Sequence, residues 1–281
     1  MRNFFSKKLY SQVRADSVSF TRFFFGFPIG LIALVFIVLN GLTIHVVSSE
    51  FYIWVFVFAS MQLVATGLLV SLFKFKNFAI SLSYAKTETI FVAILGFFIL
   101  SEKISFLAII GIIVSFIGIM TASLSKFEAK NILKSLNQKS TYIGLLTGLL
   151  FAIAVVSIKL SYNFIETNSN VNKSIIVLII SLSIQIVFML PYMIFKRRND
   201  LKFILKNPKV PILIGVFSSL GSFFWFFAFS LTSLAYVRTF GQLEFIISLI
   251  ITIKYFKENI SKIEIIGMIL LIFGILILLY A

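Results

Sequence analysis

The sequence contains no cysteine, one histidine and few charged residues. Without cysteine the chain forms no disulfide, no thiolate metal site and no cysteine nucleophile, although this absence says nothing about its compartment. Asp, Glu, Lys and Arg make up only 12% of the 281 residues, whereas apolar residues make up 60%. A soluble domain of this size needs a larger polar fraction to cover its surface, so the composition excludes one.

The apolar residues are gathered into runs of about 20 residues, the length needed to cross the hydrocarbon core of a bilayer. These runs do not alternate polar and apolar positions, and a segment in lipid must satisfy its own backbone hydrogen bonds. They are therefore predicted to be helices, not barrel strands, and the fold class is an all-α, polytopic membrane protein. The nine predicted transmembrane helices span residues 17–39, 51–73, 77–100, 105–123, 141–163, 174–195, 209–231, 234–255 and 263–280.

The charges are strongly unbalanced, with 25 Lys or Arg against 10 Asp or Glu. The basic residues lie in the short connections and not along an amphipathic stripe, which argues against a nucleic-acid partner. Basic and neutral connections alternate, as in a multi-pass protein whose cytoplasmic loops carry the positive charge. We therefore expect a cytoplasmic (inner or plasma) membrane location, with the N-terminus in the cytoplasm and the C-terminus outside.

A shift of 156 residues aligns the chain with itself without a gap. The predicted organisation is a first repeat of four helices at 1–125, a cytoplasmic linker at 126–140 and a second repeat of five helices at 141–281. Because the shift moves each helix by five places, matching helices must run in opposite directions, and such inverted repeats are typical of secondary transporters. The counterpart of the helix at 141–163 would precede Met1, so either the protein lacks a first helix or the chain begins late. The aligned pairs include Glu88 with Glu244, Glu102 with Glu258, Gly111 with Gly267, and Gly118 with Gly274.

Both halves end in one pattern: a glutamate, an apolar helix, a second glutamate, and a helix with glycines seven residues apart. The two stretches read SYAKTETIFVAILGFFILSEKISFLAIIGIIVSFIGIM at 83–120 and AYVRTFGQLEFIISLIITIKYFKENISKIEIIGMILLIFGIL at 235–276. This pattern resembles the drug/metabolite transporter superfamily, in particular its EamA family, over essentially the whole chain. The resemblance implies ten helices in two five-helix repeats, where nine are found here. It also implies export or import of amino acids, related metabolites or drugs, without a cofactor.

The best candidates for a transport site are Glu88 and Glu244, which the repeat relates and which fall in the middle of their predicted spans. An ionisable group at bilayer depth costs at least about 2–3 kcal/mol, so it is a functional candidate by default. A carboxylate there can bind a cationic group of a substrate or titrate with a coupling proton. The alternative is a buried carboxylate that only packs against neighbouring helices.

Further polar and aromatic residues complete the predicted substrate-binding set. Lys86 and Arg238 suit a substrate carboxylate, but they also suit the role of interhelical counter-charges or of snorkelling side chains. Lys86 and the glutamate two positions later cannot face one cavity unless their helix is interrupted. Tyr84 and Trp225 are candidates for an aromatic cavity wall, with ordinary aromatic packing as the alternative. The set beyond the two glutamates is Lys86, Gln242, Arg238, Tyr84 and Trp225.

Two other repeated features are predicted to be structural. Glu102 and Glu258 follow the ends of predicted helices, so we interpret them as markers of helix boundaries. The paired glycines of the last helix in each half predict close packing between helices, because small residues let backbones approach.

The predicted function is secondary transport of a small organic metabolite, such as an amino acid, by alternating access and with efflux as one option. A membrane-embedded enzyme and a structural membrane protein without transport are the alternatives. An enzyme would need clusters of His, Cys or paired Asp, and the single histidine, His45, falls in a predicted external loop. The duplicated polar positions lie singly on separate helices, unlike the repeated selectivity element of a channel. The predicted partners are a small-molecule substrate, the lipid bilayer and a coupling proton.

Overall fold

The computed structural model describes residues 2–41, 45–46, 48–72, 86–122, 139–167, 169–244, 247 and 262–280. Two short strands, β1 (His45–Val46) and β2 (Ile165–Glu166), pair antiparallel, with His45 opposite Glu166. The other regular elements described are helices. They are α1 (Arg2–Tyr10), α2 (Ala15–Phe24), α3 (Phe27–Leu39), α4 (Glu50–Leu72), α5 (Glu88–Leu100), α6 (Phe106–Ala122), α7 (Lys139–Ser161), a 3-10 turn (Tyr162–Phe164), α8 (Asn170–Lys196), α9 (Arg198–Lys206), α10 (Lys209–Leu231), α11 (Leu234–Phe240) and α12 (Lys262–Leu279).

The long helices coincide with the predicted spans and confirm an all-α, polytopic fold. Within the described residues, three shorter apolar helices fall on the predicted spans 77–100, 105–123 and 263–280. Of the predicted span 234–255, the structure describes α11, the four residues that follow it and residue 247. In the part of the chain that the structure describes, five helical stretches are long and apolar enough to cross a membrane. They are Ala15–Leu39, which comprises α2 and α3, Glu50–Leu72, Tyr142–Phe164, Asn170–Lys196 and Lys209–Leu231.

The chain divides into two compact units, and each unit takes segments from both halves of the sequence. The first unit comprises Met1–Ser71 and Ser157–Leu231, and the second comprises Leu72–Val156 and Thr232–Ala281. The units are therefore not the two repeats, because each repeat contributes helices to both.

Contacts within the first unit show which connections between helices lie on the same side, and they agree with the charge pattern. β1 and β2 belong to two connections that contain no Lys or Arg, and their pairing holds both at the same side of the unit. The basic N-terminal segment likewise meets the basic connection after α8. Arg197 Nε lies 2.8 Å from Asp16 Oδ2, and Ser17 Oγ donates to Asp200 Oδ2 at 2.6 Å.

In the second unit, α6 and α12 pack backbone against backbone through the paired glycines. A Cβ built on Gly111 would lie 2.8 Å from the carbonyl oxygen of Gly274, and one built on Gly118 would lie 2.8 Å from that of Gly267. This confirms the predicted close packing, which larger side chains would prevent. The order of the contacts also shows that the two helices are antiparallel, since the later residue of α6 meets the earlier residue of α12. The shift of 156 converts each glycine pair into the other, as inverted repeats require.

Candidate functional site

Four charged side chains, two from each half of the chain, form two crossed ion pairs in the second unit. Glu88 Oε1 lies 2.7 Å from Arg238 Nη2, and Lys86 Nζ pairs with the carboxylate of Glu244. Each pair joins a residue of the first half to a residue of the second, so each glutamate is neutralised by the opposite repeat. The structure thus brings four predicted site residues together, and it supports the counter-charge alternative for both cations.

Gln242, a fifth predicted residue, lies in the same cluster. It is fully buried, and its Nε2 donates to Thr89 Oγ1 at 2.9 Å. Burying an amide is costly unless it is hydrogen-bonded, so this bond stabilises the buried side chain. Because Thr89 belongs to the first half and Gln242 to the second, the bond also connects the two halves. Thr89 was not among the predicted site residues. Its sequence signal is weak, because it is a neutral residue beside a more conspicuous glutamate.

Within the described residues, the first charged helix begins at the ion pairs. Glu88 is the first residue of α5, and Lys86 and Thr87 form the turn before it. The Thr89 N–H donates to the Lys86 carbonyl at 3.1 Å, a bond across three residues that closes the turn. The described helix therefore begins at Glu88, which was predicted to lie in the middle of the span 77–100; residues 77–85 lie outside the described residues. Because Lys86 precedes the helix, the rule that side chains two positions apart diverge does not hold here.

The second charged helix is interrupted at the equivalent place, so the span 234–255, predicted as one helix, is not continuous in its described part. α11 ends at Phe240, and Gly241 and Gln242 form a turn. The Gln242 N–H donates to the Thr239 carbonyl at 3.0 Å. Since the repeat relates Gln242 to Lys86, both copies turn beside their charged residues. Interrupted helices are a common way for inverted-repeat transporters to build a binding site.

The two ion pairs differ in exposure. The Glu88 and Arg238 side chains are 11% and 18% exposed, whereas Lys86 is 18% and Glu244 51% exposed. Glu88 also lies in the first turn of α5 and Arg238 in the last turn of α11, the helix ends that favour a negative and a positive charge respectively. The Glu88–Arg238 pair is therefore buried, and each charge has a counter-charge in contact. Glu244 is the most exposed of the four side chains.

A glycine from a third helix packs against the first of these turns. A Cβ built on Gly148 of α7 would lie 2.9 Å from the backbone nitrogen of Glu88, and closer still to Thr87 Oγ1. A larger residue would therefore push α7 away from the turn that carries Lys86. Comparison of the two repeats could not identify Gly148, because the position that matches Gly148 in the first repeat would precede Met1. Its signal was only a glycine inside an apolar helix, where glycine is disfavoured.

Glu102 contacts the start of α11 within the same unit. Its Oε1 and Oε2 accept from the Leu234 N–H at 3.0 and 3.1 Å. Leu234 is the first residue of α11, after the N-cap Ser233. Glu102 therefore has the structural role at a helix boundary that the sequence predicts. Its repeat mate Glu258 lies outside the described residues.

Comparison with known proteins places this architecture in a family. The model of the EamA-like transporter family matches residues 3–124 and 139–280. The chain belongs to the EamA-like transporter family. The two separate matches correspond to one repeat each, and members of the family are transporters of the drug/metabolite superfamily. The crossed ion pairs thus belong to a member of a transporter family.

The EamA-like fold of this chain is shared by solved structures. One, described only as "Crystal structure of protein", superposes with a TM-score of 0.70 over 97% of this chain and 90% of that chain, at 10% sequence identity. At this identity the likeness shows the fold alone. No curated protein matches the chain.

The remaining predicted candidates in this member of the EamA-like family are Trp225 and Tyr84. Trp225 lies on α10 in the first unit, where its ring centroid is 5.7 Å from that of Phe229. That contact is the aromatic packing given as its alternative role. Tyr84 lies outside the described residues. Among the residues that the structure describes, no group of three His, Asp or Glu side chains is placed to hold a metal ion.

Proposed function

We propose that this EamA-like protein is a secondary transporter, and that its substrate and coupling site is the cluster of Glu88, Arg238, Lys86 and Glu244. The observation that carries the proposal is the crossing of the ion pairs, in which repeat-related glutamates each pair with a cation of the other half. Inverted-repeat transporters bind their cargo at the interface of the repeats, near the bilayer midplane. Charged groups at that depth are costly, and function is the usual reason for keeping them.

The cluster offers both signs of charge to a small organic ion. An ammonium group competes with Lys86 for the half-exposed carboxylate of Glu244, and a carboxylate competes with Glu88 for Arg238. Each exchange forms one ion pair and breaks another, which releases Lys86 or Glu88. A charge left buried without a partner is strongly unfavourable, so we expect the released Glu88 to take up a proton. A zwitterion such as an amino acid satisfies both exchanges. A proton on either glutamate is the coupling species that the same site accepts.

Transport by alternating access follows from the two inverted repeats, which rock about a common site and open it to each side in turn. The driving force in this proposal is a proton gradient or exchange, because the sequence has no phosphate-binding loop for a nucleotide. We place the protein in the cytoplasmic membrane with its N-terminus in the cytoplasm, as the basic connections favour. Catalysis is not part of the proposal, since the chain has no cysteine and only one histidine.

The test begins with a thermal-shift screen of the purified protein against amino acids, polyamines, nucleosides and quaternary amines. Compounds that stabilise it are then followed as radiolabelled substrates in proteoliposomes, over a range of pH. Glu88→Gln and Glu244→Gln keep the size of the side chain but remove its charge. We expect each to reduce transport about tenfold or more, since a hydrogen bond to a charged group contributes about 1.5–3 kcal/mol.

Glu50→Gln is the matched control, because Glu50 is an exposed residue in the first turn of α4. It should transport at the wild-type rate. Wild-type transport by both Glu88→Gln and Glu244→Gln at every pH would show that the cluster is not the transport site.

A further inference from the structure

Glu102 links the end of one charged helix to the start of the other. Its backbone N–H donates to the Gly96 carbonyl at 3.1 Å, which closes the C-terminal turn of α5. Ser101, just before it, has a φ of 53°, the left-handed conformation that ends many helices. The backbone at Glu102 is thus fixed by α5. Its carboxylate, however, accepts from the Leu234 N–H of α11.

α11 needs such a contact because it is short. It has seven residues and carries Arg238 in its last turn. A helix of this length is unstable alone, and its first N–H groups have no partner inside the helix. Ser233 accepts from the Tyr236 N–H at 3.4 Å, a long bond. The carboxylate of Glu102 adds two shorter contacts and a negative charge at the positive end of the helix.

α5 and α11 are therefore fastened at both ends. Glu102 meets Leu234 at one end, and Glu88 meets Arg238 at the other. As the residue number rises along α5 it falls along α11, so the helices are antiparallel. Between the two contacts, Ala235 of α11 is fully buried in an apolar cluster that Ala93 of α5 packs against.

We infer that Glu102 is a positioning residue of the transport site: its carboxylate caps α11 and thereby holds Arg238 in register with Glu88. The consequence for transport rests on the proposed function. The capping and the register are independent of it, and they are tested separately.

Capping is tested by hydrogen–deuterium exchange on Glu102→Ala, Glu102→Gln and, as a control, Lys103→Ala, which changes the exposed neighbour. Glu102→Ala should speed exchange of the amides of residues 234–240 and leave those of α12 unchanged. Glu102→Gln retains an acceptor oxygen, so it should stay closer to the wild type, and Lys103→Ala should not differ from it. Wild-type exchange at 234–240 in Glu102→Ala would overturn the inference.

Positioning is tested by a double-mutant cycle on the unfolding temperature with Glu88→Gln. The two glutamates are about 20 Å apart along α5, and residues this far apart without a shared partner have additive effects. Loss of a helix cap should lower the unfolding temperature of the wild type by about 2–4 °C. If Glu102 acts through the Glu88–Arg238 pair, the effect of Glu102→Ala on the unfolding temperature should be smaller in the Glu88→Gln background. We expect it to be less than half of the effect in the wild type. Additive effects would show that Glu102 does not position Arg238.

Transport by Glu102→Ala then links the positioning to function. In the proteoliposome assay we expect weaker substrate affinity, seen as a higher KM, with partial rescue in Glu102→Gln. Unchanged transport together with altered exchange at 234–240 would overturn the positioning role. If the wild type moves none of the tested compounds, the proposed function fails, whereas exchange and the double-mutant cycle still decide whether Glu102 holds Arg238.

Discussion

At the scale of single residues, the sequence identified the glutamates but not their partners. Glu88 and Glu244 stand out because a charge in an apolar run is costly and both copies of the repeat keep it. Which cation meets which carboxylate depends on how α5 and α11 lie against each other, and that register has no local sequence signal. The role of Arg238 was accordingly left open between substrate binding and counter-charge. The 2.7 Å contact with Glu88 supports the second, and it allows the first if a ligand displaces the glutamate.

The buried ion pair leads to a prediction about stability. Arg238→Gln leaves the Glu88 carboxylate buried without its counter-charge, which typically costs about 3–5 kcal/mol. The double variant Glu88→Gln/Arg238→Gln has no buried charge at this pair and should recover most of that loss. Unfolding of the detergent-solubilised protein, followed by the fluorescence of its two tryptophans, measures both effects. Equal destabilisation of the single and double variants would contradict a compensated pair.

At the scale of elements, the helix ends of the long spans were predictable but the interruptions beside the site were not. A run of about 20 apolar residues defines a span by itself. The turn before Glu88 contains neither glycine nor proline, so nothing local marks it. In the second copy Gly241 gave the only hint, and a single glycine is tolerated inside a helix. Tertiary contacts, including Gly148 against Thr87, accompany a break that local sequence does not mark.

The glycine contact between α6 and α12 gives a prediction at this scale. Gly118→Ala places a Cβ 2.8 Å from the Gly267 carbonyl, and a backbone atom cannot move aside as a flexible side chain can. We expect a loss of about 1–3 kcal/mol, the range for overpacking. Gly67→Ala in α4 is the matched control, since a Cβ there meets nothing within 4 Å.

That control should leave the unfolding temperature unchanged or raise it, because alanine favours a helix by up to about 1 kcal/mol over glycine. Thermal unfolding in the same detergent compares the two variants. A Gly118→Ala protein as stable as Gly67→Ala would mean that α6 and α12 do not pack backbone against backbone.

At the scale of the whole molecule, the inverted duplication follows from an odd shift of helices combined with alternating loop charge, and the antiparallel contact of α6 with α12 agrees with it. Two contacts in the first unit support the predicted sidedness independently. The connections without Lys or Arg meet through β1 and β2, and the basic connections meet through Arg197 and Asp16. The compact units could not be predicted, because sequence similarity divides the chain into repeats whereas packing recombines helices from both.

The absence of cysteine makes the orientation directly measurable, because any introduced thiol is the only one present. Ser49→Cys lies on an exposed position of a neutral connection, and Asn207→Cys lies on an exposed position between α9 and α10. A membrane-impermeant maleimide added to intact cells should label Ser49→Cys at once and Asn207→Cys only after permeabilisation, since basic connections remain in the cytoplasm. The unmodified chain should stay unlabelled throughout. Labelling in the reverse order would show that the protein has the opposite orientation. Equal labelling of both variants in intact cells would show that the protein inserts in both orientations. A site built from two oppositely directed halves is compatible with either result, so the experiment tests the orientation alone.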